Sequence, residues 1–242
     1  MLVSCVMPTF NRVPNHIHLL EEAVESFLRQ DYTEKELIIV NDQPQQTLRV
    51  EGAPANVLVV NLPRRCRTLG EKLNLGFAMA SGALLMRMDD DDVFLPWRIS
   101  LSVQALGVHD YVKPRHLWYM PPRQLLYRPS GFSTGLFTRI GFDRVGGFAH
   151  MDSGEDQKFE EAFGSSTGTS KKLFAVTPEE TFYIYRWGNG SPHISGYGNR
   201  DGYAEIGRMP AASGEFVIRP RWGTDYAALA AAGARAKGEY KW

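Results

Sequence analysis

The chain has 242 residues, 27 basic and 27 acidic side chains, and a hydrophobic share of 43%. That length suits one large domain or two fused halves with a substantial core, and the apolar content is too high for extended disorder. A formal net charge of zero argues against a general nucleic-acid binder, which carries excess Lys and Arg for phosphates.

No apolar run reaches the roughly 18 residues that suggest a membrane span, and no segment at the start reads as a signal peptide. Cys5 and Cys66 form neither a metal-type spacing nor a disulfide framework, so a reducing cytoplasmic location is expected. In chain order, LVSCVMP (Leu2–Pro8) reads as a short buried strand followed by the polar loop PTFNR. Asn15 is the predicted N-cap of a helix whose Leu20, Ala23, Val24, Phe27 and Leu28 share one face. ELIIVND and NVLVVNL (Asn56–Leu62) are strand-like and β-branched. TLGEKLNLGFAMASG opens on a capping-box pattern, Thr68 with Glu71, repeats apolar residues at Leu69, Leu73 and Phe77, and is predicted to stop at Gly82. ALLMRM is the fourth predicted strand, and it runs straight into four carboxylates, Asp89 to Asp92.

Strands without strict alternation, separated by helices, predict an α/β fold with a mostly parallel central sheet covered on both faces. Ligands of such sheets bind beyond the carboxyl ends of the strands. The loops bearing Thr9, Asn11, Asp42 and Asp89–Asp92 all follow predicted strands, so they are expected to meet at one edge. The second half is less regular. DYVKPRHLWYMPPRQLLYRPSG suggests a hairpin-like pair with a Pro-Pro turn, GFDRVGGF a turn-rich segment, and SGEDQKFEEAFGS a short helix. KKLFAVTPEETFYIYRW carries two predicted short strands, GNGSPHISGYGNRDG reads as a Gly-rich loop, and DYAALAAAGARAKGEYKW as a helical or frayed tail.

Acidic runs are usually solvated surface. Here the apolar flanks, ALLMRM before and VFLPW after, put the four carboxylates at the rim of a core, where their mutual repulsion needs an offset. Mg2+ or Mn2+ is commonly held by one or two carboxylates plus substrate phosphate oxygens, and a bound cation of that kind is the expected offset. Asp89 and Asp91 project to one side of an extended segment. Asp92 is left a second role, such as orienting the loop.

Four segments in order, VMPTFNR, LIIVNDQP, LGEKLNLGFAMASGALLMRMDDDDVFLP and GFDRVGGFAHMDSGEDQKF, resemble glycosyltransferase family 2 over roughly residues 2 to 190. The resemblance implies the GT-A fold, a Rossmann-like sheet flanked by helices with a smaller mixed acceptor-side region. It implies a nucleotide-sugar-binding half over 1–100, an acceptor-binding and catalytic half over 101–215, and a tail over 216–242. The implied activity is inverting, metal-dependent transfer from a nucleoside-diphosphate sugar, UDP by family habit, to an acceptor hydroxyl. Pro8, Thr9 and Asn11 would line the nucleotide site with Lys72 and Asn74, and Asp42 would bond the base. Asp89 and Asp90 would lie at the nucleotide, Asp89 near ribose or metal, and Asp91 would be the leading ligand for Mn2+ or Mg2+. Asp156, with Glu155, would be the general base. His193, in a Gly-rich loop where a packing role is commoner, is carried as a further metal ligand because late histidines reach the metal in some GT-A enzymes.

The sequence departs from the family pattern at Asn41, often Asp, and at Leu73, often Arg; Lys72 or Arg64, Arg65 and Arg67 are candidates for the missing charge on the diphosphate. Trp118, Tyr119, Trp187 and Tyr197 are candidate sugar-stacking residues, with core packing the commoner reading. First-turn carboxylates such as Glu155 and Asp156 also simply complement a helix dipole, and Ser153 with Asp156 resembles a capping pair. The tail RAKGEYKW admits a peripheral membrane contact. Two rival functions stay open: a non-catalytic sugar-nucleotide-binding module, which needs no base, and a haloacid-dehalogenase-type phosphatase with Asp89 as nucleophile. The second ranks low because three strand-like runs precede its motif.

Overall fold

The computed structural model describes residues 1–120, 125–130, 135–151, 153–186 and 210–238. Strand β1 (Val3–Thr9) is buried along its whole length and lies between parallel partners β2 (Lys35–Asn41) and β5 (Leu84–Arg87). A central parallel strand covered on both faces has no solvent side to supply alternation, which explains the unbroken apolar run. Outside β2 runs β4 (Val57–Asn61), also parallel. On the other side come β10 (Leu136–Thr138), antiparallel to β5, then β7 (Tyr111–Pro114) and β11 (Lys171–Phe174). The order of this seven-stranded sheet is β11-β7-β10-β5-β1-β2-β4, with β10 alone reversed.

A second sheet, β6-β12-β8-β9, joins β6 (Val93–Phe94), β12 (Tyr183–Arg186), β8 (His116–Met120) and β9 (Leu126–Pro129). The expected hairpin-like pair is β8 with β9, antiparallel; the Pro-Pro residues between them lie outside the described residues. A third, two-stranded sheet pairs β3 (Gln46–Val50) with β13 (Gly214–Ile218) in parallel.

Helix α1 (Ile17–Leu28) starts two residues after Asn15: His16 takes the cap position without a side-chain cap bond, and Asn15 is exposed. Helix α2 (Leu69–Met79) has the expected N-cap, Thr68, whose hydroxyl accepts the Glu71 N–H at 3.1 Å. It ends before Gly82. Arg139 satisfies its last carbonyls, donating to Phe77 O at 2.8 Å and Ala80 O at 2.5 Å. The stretch expected to be turn-rich is instead helix α4 (Arg139–Val145), capped by Thr138 at its start and by left-handed Gly146 at its end. Helix α3 (Arg98–Leu106) follows β6 after the acidic cluster, and α5 (Glu155–Ser165) forms where a short helix is expected.

Side chains of β1 alternate between two cores. Val3, Cys5 and Met7 join a cluster with α1 and the second sheet, while Val6 joins one with α2 and α5. The latter is rich in aromatics: Phe148 stacks on Phe159 at 4.0 Å, and Phe137 meets Phe159 edge-on at 4.8 Å. Phe159 and Phe163 thereby seat α5 on the sheet. The final helix, α6 (Tyr226–Gly238), buries Tyr226, Ala230 and Ala234, one face at i, i+4, i+8. Tyr226 Oη donates to Glu22 at 3.0 Å, so this stretch of the predicted tail is docked on α1.

Candidate active site

Strands β1, β2 and β5 end at one edge, and their register places Thr9 opposite Asn41. Parallel pairing thus brings the loops after all three strands together, as expected of such sheets. The acidic cluster sits there, and its carboxylates are largely buried: Asp90, Asp91 and Asp92 expose 5%, 7% and 1% of their surface.

Two guanidiniums offset the repulsion. Arg12, in the loop after β1, donates to both oxygens of Asp90 at 2.8 Å and to Asp91 Oδ2 at 2.9 Å. Such forked geometry is the strong form of the Arg–carboxylate pair. Arg87, at the end of β5, donates to Asp89 Oδ1 at 2.6 Å. Asp92 accepts the Tyr183 O–H at 2.6 Å and the Arg186 backbone N–H at 2.9 Å. Burial, with Asp91 and Asp89 adding repulsion, pushes Asp92 well above the usual carboxylate range. Part of the balancing charge that the sequence leads one to expect from a bound cation is thus supplied by arginines. Asp92 does orient the loop, pinning it to β12. Asp90, expected at the nucleotide, is committed to Arg12.

At the end of β2, Asp42 is fully buried and pairs with Lys72 Nζ at 2.6 Å. It also accepts the Cys66 N–H at 3.0 Å, and Lys72 donates to Thr9 O at 3.1 Å. One ion pair therefore ties the ends of β1 and β2 to α2. Burial pulls the Lys72 ammonium below its ordinary range, and Asp42 opposes that pull. Lys72 is 1% exposed, which places it beneath the edge rather than out over it. Thr9 Oγ1, 2% exposed, has no hydrogen-bond partner among the described residues.

Pro8 is buried within β1. Asn11 adopts φ 52° and accepts from Gln46 Nε2 at 3.1 Å while donating to Pro210 O at 3.3 Å. Asn74 bonds the backbone of Phe148. Its amide donates to Phe148 O and accepts from Phe148 N, both at 2.9 Å, stapling α2 to the segment before α5. Arg64 and Arg67 pair with Glu71, and Arg65 lies over the Phe10 ring at 3.6 Å from its centroid. Trp118 is buried and Tyr119 half-buried. His193, Trp187 and Tyr197 lie outside the described residues.

Glu155 and Asp156 open α5. The Ser153–Asp156 capping pair does not form: Gly154, at φ 78°, holds the cap position with no side-chain cap bond. Glu155 is 3% exposed and accepts from Arg87 Nη1 at 2.9 Å. Burial raises its carboxyl above the ordinary value, and Arg87 works against that rise. Asp156 is half-buried, and its Oδ1 accepts the Gln157 N–H at 2.8 Å. Sequence reasoning missed Arg12 and Arg87. The signal for Arg87 was present, a charged residue inside an apolar strand, LLMRM.

Among the described residues no group of three or more His, Cys, Asp or Glu side chains is placed to hold a metal ion. A hard divalent cation completed by substrate phosphates needs only one or two carboxylates. Asp89 and Asp91 supply two all-oxygen donors with 22% and 10% of their side chains accessible at the edge, a donor set that fits such an ion.

Two outcomes follow from these charges. Lys72→Met removes the cation paired with the buried Asp42 carboxylate, a loss of about 3–5 kcal/mol in urea unfolding, and adding Asp42→Leu recovers most of it. Between the ordinary value of 4.5 and the raised folded value, folded Glu155 keeps a proton that the unfolded chain has released, and above that window it is the carboxylate paired with Arg87. Its stabilisation is therefore full below the ordinary value of 4.5 and lost as pH rises through the raised folded value. Glu155→Gln is expected to flatten that part of the stability–pH curve, measured by urea titrations across the acidic range.

A family model described as Glycosyl transferase family 2 matches residues 4–170. YwdF of Bacillus subtilis (strain 168), named a glycosyltransferase, is 33% identical over 114 residues, 46% of this chain and 41% of its own length. WcaA of Escherichia coli (strain K12), named for colanic acid biosynthesis, is 32% identical over 153 residues, 56% of this chain and 52% of its own. The chain thus spans about half the length of these curated relatives. Among solved structures, S. aureus TarS 1-349 in complex with UDP-GlcNAc aligns with a TM-score of 0.60 at 17% identity, over 85% of this chain and 64% of that one. The mannosyltransferase PcManGT from Pyrobaculum calidifontis, in complex with GDP-Man and Mn2+, aligns at 0.53 and 15%, over 87% and 65%. At such identities the likeness shows the fold, which is GT-A. With the family model matching well over half of its length, the chain belongs to glycosyl transferase family 2.

Proposed function

We propose that the chain transfers a sugar from a nucleoside-diphosphate sugar to an acceptor hydroxyl with inversion at the anomeric carbon. The observation that carries this reading is the convergence of Thr9, Asp42 and the acidic cluster on one sheet edge, joined through Arg87 to Glu155 beside Asp156. In this reading the loops after β1 and β2 receive the nucleotide, with the unpartnered Thr9 hydroxyl as a contact. UDP and GDP are the nucleotides to test first, since TarS and PcManGT were solved with UDP-GlcNAc and GDP-Man.

Asp156 acts as general base. Its carboxylate takes the acceptor O–H proton as that oxygen bonds to the anomeric carbon, and the bond from that carbon to the diphosphate oxygen breaks on the opposite face. Asp89 and Asp91 would hold a divalent cation, with His193 a further candidate ligand, and the cation supplies charge stabilisation to the leaving diphosphate. Residues 1–100 form the nucleotide half and 101–215 the acceptor half, with 216–242 as tail. Strand β10 of the second half pairs with β5 of the first, so the halves share a framework. The acceptor is a glycan or another hydroxyl compound; among the described residues no helix is long and apolar enough to cross a membrane.

A thermal-shift screen of UDP-GlcNAc and GDP-mannose, each with and without Mn2+, tests the donor site. A ligand at about 100 times its dissociation constant stabilises by about 2.7 kcal/mol, and the largest shift is expected with Mn2+ present. Asp156→Asn is expected to keep that shift while lowering transfer at least about 100-fold, the upper range for general-base catalysis being about 10,000-fold. Lost donor binding with residual transfer would contradict the assignment of the base.

A further inference from the structure

Arg87 is the last residue of β5 and the point where an apolar strand turns charged. Its side chain is 14% accessible and its Nε and Nη1 point to different partners, Asp89 Oδ1 at 2.6 Å and Glu155 Oε1 at 2.9 Å. Its backbone carbonyl accepts from Arg98 Nη2 at 2.6 Å, and Arg98 in turn lies over the Phe94 ring at 3.8 Å. The strand end is therefore held by buried groups as well as by its own guanidinium.

The two partners differ in what else fixes them. Asp89 follows Met88, whose backbone N–H donates to Val6 O at 2.9 Å, so its position is set by the sheet. Glu155 opens a helix whose cap, Gly154, contributes no side-chain bond. Its carboxylate is tied to the sheet edge through Arg87. We infer that Arg87 is a positioning residue that fixes the first turn of α5, and so the neighbouring Asp156, against the donor edge. This rests on the transferase reading above.

The guanidinium suits this role because its planar fork can serve two carboxylates in fixed directions, which an ammonium does less well. Burial pulls Arg87 down, but Asp89, Glu155 and Asp156 together outweigh it and hold it charged. A base displaced by about 1 Å is expected to cost on the order of 100-fold in rate, while ground-state contacts to the nucleotide remain. The loss should therefore fall on kcat and spare nucleotide affinity.

The test uses the full chain with Arg87→Gln and Arg87→Lys. UDP and GDP affinities with Mn2+ are measured by calorimetry, and kcat and KM with whichever of UDP-GlcNAc or GDP-mannose the wild type turns over. Arg87→Gln is expected to bind nucleotide within about threefold of wild type and lose about 100-fold in kcat, with Arg87→Lys restoring part of that loss. A kcat within about threefold of wild type in Arg87→Gln overturns the inference. So does a parallel collapse of nucleotide affinity and kcat without rescue by lysine, which marks a merely structural residue. If the wild type itself turns over neither donor while still binding UDP or GDP, the transferase reading fails first, and the positioning role falls with it.

Discussion

The acidic cluster sits at the rim of this core with Arg12 and Arg87 reaching it from separate segments. Each ion removed from water costs several kcal/mol, and a buried carboxylate is tolerable only when good geometry returns that cost. Arg12 comes from the loop after β1 and Arg87 from the end of β5, two adjacent strands in parallel register. The cluster therefore forms only when the central sheet is correctly paired. Fold and site share one condition.

The four aspartates divide the work. Asp90 gives both oxygens to Arg12, and Asp92 gives both to Tyr183 and the Arg186 backbone, so these two hold the loop. Asp89 and Asp91 retain more access at the edge. Arg186 extends the bracing outward: its guanidinium pairs with Glu22 of α1, which also receives Tyr226 of α6. A docking contact near the end of the chain is thus linked through buried polar groups to the loop that bears the site.

Much of this was legible in the sequence where apolar patterning was long or the residue type itself carried the message. The unbroken runs of β1, β2, β4 and β5 and the helical faces of α1 and α2 announced the sheet and its covers, and α5 was legible as a short helix. The carboxylates and their order along the chain announced the edge where they gather. Helix α3 was missed because it is nine residues long, polar on much of its surface, and starts directly after Trp97. Strands β3 and β13 were missed because each is short and gains its meaning from the other, far away in sequence. The partners of the acidic cluster were illegible for a related reason. Arg12 lies 78 residues from Asp90, and only tertiary pairing brings them within bonding distance. The resemblance gave Asn74 and Lys72 nucleotide-side roles; that Asn74 also bonds Phe148 and Lys72 pairs with Asp42 is visible only in the folded chain.

The central proposal is that the edge formed by Asp42, Asp89 and Asp91 receives a nucleoside diphosphate, with Lys72, Arg87 and Arg12 pairing with those carboxylates in turn. A crystal structure of the chain soaked with UDP and Mn2+ tests it most directly. The expected density puts the base beside Asp42 and Thr9 and the diphosphate beside Asp89 and Asp91, with the guanidinium of Arg87 still joining the edge to α5. Nucleotide density on another face of the molecule, or the aspartates turned outward into bulk water with both arginines released, would contradict it.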